Sequence, residues 1–185
     1  MPKMSSRNNK MKSKNRNIIF IGGIHGVGKG TICEKISLSK KVTHFSASKV
    51  LKWNEISKKE NKLVKDLDKT QIRLLKGLNA LIQDEHTYLL DGHYCLLNSN
   101  GEPKRVSEKT FEIIDPKVMT IVIEDTEIIY ERLKQRDGTK YSLSLLNEMQ
   151  EMEIKYAKFL SSKYNKPYVE IHKGDYDKLN EFLPK

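Results

Sequence analysis

Nine consecutive residues, Gly23-Ile24-His25-Gly26-Val27-Gly28-Lys29-Gly30-Thr31, hold the densest chemistry of the chain. Glycines at positions 23, 26 and 28 let a backbone turn tightly enough for successive N–H groups to converge on one anion at the start of a helix. Lys29 stands where an ammonium reaches the outer phosphates of a nucleotide, and Thr31 adds a hydroxyl for phosphate or a divalent cation. The competing reading is a glycine-rich turn with no ligand, but Gly-x-x-x-x-Gly-Lys between an apolar strand and a helix is seldom accidental.

Two further constellations suit the same chemistry. Leu89-Leu90-Asp91-Gly92-His93 closes an apolar run on a carboxylate. At the carboxyl end of a parallel strand, such a group can hold the water shell of Mg²⁺ beside bound phosphate. Read alone, Asp91 could be a turn residue that ends a strand, and His93 a partly exposed structural histidine. Arg132 and Arg136 fall on one helical face, so their planar guanidiniums can meet the oxygens of a transferred phosphoryl group. Helix-end arginines also favour the C-terminal dipole or simply solvate a surface.

The elements that must position these groups alternate between strand and helix. Apolar, β-branched runs at Asn17–Ile21, Thr43–Ser46, Thr87–Asp91, Val118–Ile123 and Pro167–Ile171 read as five strands. Between them, helical spacing of apolar residues predicts helices from Lys29 to about Leu38, from a Thr126 cap to about Gln135, and from Leu143 to about Tyr164, with a closing helix from Asp175. The polar stretch 48–85, with Leu63, Leu67, Leu75, Leu78 and Ile82 at helical spacing, predicts a helical insert on the substrate side. Asn98–Pro103 is a turn-forming loop. Parallel crossovers need helices, so the expected fold is α/β, a five-stranded parallel sheet flanked by helices.

The Gly-Lys-Gly-Thr ending of the loop, with Gly30 where Ser or Thr commonly follows the lysine, resembles adenylate kinases and related P-loop nucleoside monophosphate kinases. Asp91-x-His93 resembles the archaeal-type adenylate kinases and the nuclear adenylate-kinase-like ATPases. The resemblance implies ATP and Mg²⁺ as cofactors and an adenylate-kinase-like transfer of phosphate to a nucleoside monophosphate. It gives Asp91 and Thr31 to the metal, His93 to the organisation of metal and water, and Arg132 and Arg136 to a short lid over ATP at 136–143. It implies an acceptor site of Ser46, Ser48, Lys49, Lys52 and Gln71. The family usually has an arginine where this chain has Lys49 or Lys52, and a proline where it has His25. Without the resemblance, Gln71 reads equally well as a solvated helix residue. Two other functions stay open: a kinase whose acceptor is a hydroxyl, with Asp91 as base, and an ATPase switch coupled to RNA or a protein.

Composition bounds the rest. With 185 residues and 37% hydrophobic content, the chain fits one domain at 17–185 behind a basic tail at 1–16. No apolar stretch approaches the roughly 20 residues of a membrane span. Cys33 and Cys95 form no CxxC pair, which excludes a disulfide scaffold and a zinc finger and suits the cytoplasm. The net charge of +10 invites a polyanion partner, but six of the basic residues lie in the first 16 positions, where no acid offsets them. That tail is expected to be disordered, either solubilising or in contact with nucleic acid. A monomer is expected.

Overall fold

The computed structural model describes residues 16–51, 67–83, 85–138 and 141–185. In chain order its elements are β1 (Ile18–Gly22), α1 (Lys29–Ser39), β2 (Val42–Ser46), α2 (Ala47–Val50), α3 (Leu67–Leu81), β3 (Thr87–Asp91), β4 (Cys95–Leu97), β5 (Pro103–Arg105), α4 (Glu108–Ile114), β6 (Val118–Ile123), α5 (Thr126–Asp137), α6 (Leu143–Tyr164) and β7 (Tyr168–His172), followed by a 3₁₀ turn (Asp177–Phe182).

Five of the strands form one parallel sheet in the order β2-β3-β1-β6-β7. β1 is central and buried along its whole length, as an uninterrupted Ile-Ile-Phe-Ile run requires. Its side chains alternate between two cores: Ile19 and Ile21 join α1, α5 and the start of α6, while Ile18 and Phe20 join α3, α4 and the second half of α6. Register sets Asp91 beside Ile21 on one side and Ser46 on the other, so three strand ends open on the same edge. No helix among the described residues is long and apolar enough to cross a membrane.

α6 runs where the helical spacing put it, with Ser142 Oγ accepting from Leu145 N at 3.1 Å and Asn165 in the left-handed region at its end. Other expectations need correction. Asp125, not Thr126, occupies the N-cap position of α5, without a side-chain capping hydrogen bond, and the Thr126 hydroxyl donates to Asn147 Oδ1 at 2.9 Å on α6. The closing segment is a 3₁₀ turn rather than an α-helix. Asn98–Pro103 is the tip of a two-stranded β4–β5 hairpin, where Asn98 Oδ1 accepts from the N–H groups of Asn100 and Glu102, each at 2.9 Å. Neither this hairpin nor α4 was expected.

Arg16, grouped above with the tail, is buried: its guanidinium donates to Ile113 O and Asn79 Oδ1, both at 2.6 Å, and so ties α3 to α4. Residues 1–15, 52–66, 84, 139 and 140 lie outside the described residues, and with them the rest of the basic tail, Lys52, the middle of the insert and part of the lid segment.

Candidate active site

The loop between β1 and α1 is held from both sides. Ile24 and Val27 anchor it in the core, and a Cβ at Gly26, where φ is 78°, would come within 2.8 Å of Leu133 on α5. Gly28 enters α1 in the left-handed region (φ 104°) and provides no side-chain cap, so the first-turn N–H groups of α1 are left for an anion. Lys29 begins that helix and is buried, its Nζ donating to Gly23 O at 2.7 Å and Ile24 O at 3.0 Å. Burial lowers its pKa, against the raising influence of Glu153 and Asp91.

Across the loop, α5 supplies Arg132, whose Nη1 donates to the carbonyls of Gly26 (3.3 Å) and Val27 (3.4 Å) and whose Nη2 meets Glu124 Oε2 at 3.2 Å. Arg136 lines the same cleft one turn further on. From β3 comes Asp91, hydrogen-bonded through Oδ2 to Nε2 of His44 on β2. His93 follows, its ring 4.2 Å from that of His25. Burial and then the charge of Lys29 hold His93 down at about 3, against a hydrogen bond to the Gly23 main chain and the charge of Asp91. Desolvation, followed by His93, Lys29 and Arg136, holds His25 at about 4.

These groups enclose a cleft of about 800 Å³ at the carboxyl edge of the sheet. Among the expected residues, Gly26, Val27, Gly28, Lys29, Gly30, Thr31, Ser48, Asp91, His93, Arg132 and Arg136 line it. Gly23 is buried beneath the loop. Ser46 caps α2 by accepting from Lys49 N at 3.3 Å, Lys49 is exposed, and Gln71 is half-buried on α3; none of these three lines the cleft.

The sequence reading missed Glu34, Lys35, Glu124, Lys173 and Gly174, which also line the cleft, and His44, which meets Asp91. Lys173 had a local signal, a Lys-Gly step directly after the last strand; His44 and Glu124 are joined to their partners only by the fold. Cys33, His44 and Asp91 bring one ligand atom each within 4.8 Å of one another, but the cysteine is fully buried and burial raises its thiol pKa strongly.

A strand, a phosphate cradle and a lysine-led helix on a 2-3-1-6-7 parallel sheet define a P-loop phosphotransferase. Comparison with known proteins narrows the class. Residues 22–150 match the family described as AAA domain. Adenylate kinase isoenzyme 1 of Oryctolagus cuniculus is 31% identical over an alignment of 133 residues that covers 69% of this chain and 68% of that protein. The chain therefore belongs to the AAA-domain P-loop family, on its adenylate-kinase-like side. A gluconokinase from Sinorhizobium meliloti 1021 shares the fold, with a TM-score of 0.51 and 13% identity over 91% of this chain and 90% of that one.

Proposed function

We propose that the protein transfers the γ-phosphoryl group of ATP, with Mg²⁺, to a nucleoside monophosphate. The observation that carries this reading is the convergence of Lys29, Arg132 and Arg136 with Asp91 on one cleft beside the α1 N-terminus. Likeness to an adenylate kinase supports the acceptor class. Such a reaction needs charge stabilisation and positioning more than covalent chemistry, and three cations around a phosphate cradle supply both.

Lys29 would leave the carbonyls of Gly23 and Ile24 for the β- and γ-phosphates, and Arg132 and Arg136 would spread the charge that develops on the transferred group. The oxygens of Asp91 and Thr31 suit a hard cation, with Asp91 held in place by His44. A Mg²⁺ ion held there would supply neutralisation of phosphate charge. An acceptor that is already a phosphate anion needs no base. Ser48, which lines the cleft after β2, would meet it, and closure over the cleft would exclude water.

The His44–Asp91 pair favours a second reading. An imidazole hydrogen-bonded to a carboxylate at the acceptor side is the arrangement that would take a proton from a hydroxyl acceptor. Turnover with Mg-ATP, assayed against AMP, CMP, UMP, GMP and dTMP and against a panel of sugar and sugar-acid alcohols, separates the two. Stoichiometric diphosphate from one monophosphate supports the first reading. A phosphorylated alcohol replaces it with the second, and ADP with free phosphate alone removes both in favour of an ATPase.

A further inference from the structure

The main chain of Glu124 stands just beyond the sheet. β6 ends at Ile123, which faces His172 at the end of β7 and whose carbonyl already accepts from Lys173 N at 3.0 Å. On the other side, the register of β1 with β6 ends at Gly22 opposite Ile121. No strand among the described residues is therefore left to take the N–H and C=O of Glu124, although the residue is half-buried and main-chain groups away from water need partners.

α6 supplies what the sheet does not. Gln150 turns its amide to this one residue: Nε2 donates to Glu124 O at 2.9 Å, and Oε1 accepts from Glu124 N at 3.3 Å. A primary amide carries a donor and an acceptor side by side, so it satisfies both groups at once, which neither a carboxylate nor an apolar chain can do. With its main chain held, the Glu124 carboxylate is aimed: Oε1 accepts from Asp125 N at 3.0 Å and Oε2 from Arg132 Nη2 at 3.2 Å. The Glu124 side chain is 10% exposed and that of Arg132 46%. A half-exposed arginine has much rotamer freedom to lose, and its contacts to Gly26 O (3.3 Å) and Val27 O (3.4 Å) are longer than the one to Glu124. The carboxylate is thus the firmest of the three holds on a guanidinium that lines the cleft.

We propose that Gln150 is a positioning residue: it clamps the main chain of Glu124 and, through the Glu124 carboxylate, holds the Arg132 guanidinium over the phosphate loop. Gln150 does not line the cleft and would touch no substrate; its effect runs through Glu124 and Arg132. The kinetic part of this inference rests on the proposed phosphoryl transfer, and the spectroscopic part does not.

Side-chain ¹⁵N spectra of the arginines in the full chain, with Arg132→Lys assigning the signal, read the clamp without any substrate. A held guanidinium gives separate Nη1 and Nη2 resonances, and a freely rotating one gives their average. The expected result is separate resonances for Arg132 in the wild type and an average in Gln150→Met, which keeps the length of the side chain and removes both bonds to Glu124. Thr126→Val removes the 2.9 Å contact between Thr126 and Asn147, on the same two helices, without touching Glu124, and should keep the resonances separate. An averaged signal in the wild type, or separate ones in Gln150→Met, would overturn the proposal. Averaging in Thr126→Val as well would reduce Gln150 to helix packing and overturn it too. If Gln150→Met fails to fold, Gln150→Asn, whose amide is too short to reach both groups, replaces it with the same expected outcome. In turnover with Mg-ATP, Gln150→Met should lose about tenfold or more in kcat and change nucleotide affinity by less than about twofold, as a misplaced catalytic partner does. In an Arg132→Ala background the same substitution should cost less than about twofold, because losses along one chain of contacts do not add. Fully additive losses would overturn the route through Arg132. A wild type that transfers no phosphate yet shows the expected spectra would sink the kinase reading and leave the clamp standing.

Discussion

At the scale of single residues, Lys29 is where sequence and site coincide most directly. Its ammonium already sits among oxygen acceptors, the carbonyls of Gly23 and Ile24, in a position from which phosphate oxygens can replace them. Lys29→Met keeps the length of the stem and removes all three donors, and the loss of one preorganised cation at developing phosphate charge costs about 10²- to 10³-fold in kcat. Steady-state ADP release, with nucleotide affinity measured alongside, checks this; turnover within threefold of wild type would remove Lys29 from the chemistry. Arg132 makes a graded case, because Arg132→Lys keeps the charge and loses the fork that spans Gly26, Val27 and Glu124. Its kcat should fall between wild type and Arg132→Ala, and equality with wild type would mean the fork does nothing. The phosphate-loop residues were legible because their signal is local: glycines, lysine and hydroxyl lie within nine consecutive positions. His44 and Glu153 were not, since a histidine in a strand and a glutamate in a polar-rich helix look ordinary until β2 meets β3 and α6 meets the turn after it.

At the scale of elements, glycines test whether the loop and its supports are packed as described. A Cβ at Gly22 would lie 2.0 Å from the Tyr94 ring, a fully buried side chain whose hydroxyl donates to Thr120 O at 3.0 Å. Gly22→Ala must displace that ring and should cost about 1–3 kcal/mol, the usual toll of overpacking. A Cβ at Gly30, by contrast, meets nothing within 4 Å inside the first turn of α1. Gly30→Ala should therefore stabilise by about 0.5–1 kcal/mol, the helix-propensity difference. Urea unfolding of both variants gives the comparison, and shifts of the same sign would contradict it. The same scale explains what was readable. The five sheet strands and the 22-residue α6 carry long periodic signals. The hairpin strands span three residues each and α4 seven, below the window in which a period can be recognised. Thr126 suits a cap by residue type, but the helix begins with it, one residue after the N-cap position at Asp125, and its hydroxyl turns to α6.

At the scale of the whole molecule, the two buried groups under the cleft pull the pH dependence of stability in opposite directions. Glu153 has its folded-state pKa raised from 4.5 to about 7, so its contribution is fully present below 4.5 and is lost as pH rises through about 7. His93 has its folded-state pKa lowered from 6.5 to about 3, so its contribution is present above 6.5 and is lost as pH falls through about 3. Between pH 4.5 and 6.5 the folded chain holds a proton on Glu153 that the unfolded chain has released, and lacks one on His93 that the unfolded chain has bound. The two terms cancel there, and the pair leaves stability nearly flat. His25 adds to the histidine side, since its pKa is lowered in the same direction, to about 4. Glu153→Gln removes the opposing half and should expose an additional loss of about 1.4 kcal/mol per pH unit as pH falls below 6.5, the equivalent of one proton. Denaturant unfolding of wild type and Glu153→Gln at pH 5, 6 and 6.5 measures the difference in slope, in which every group common to both proteins drops out. Parallel profiles would mean that Glu153 is ionised in the folded chain across this range, and that the charge of Lys29 outweighs burial at this carboxyl.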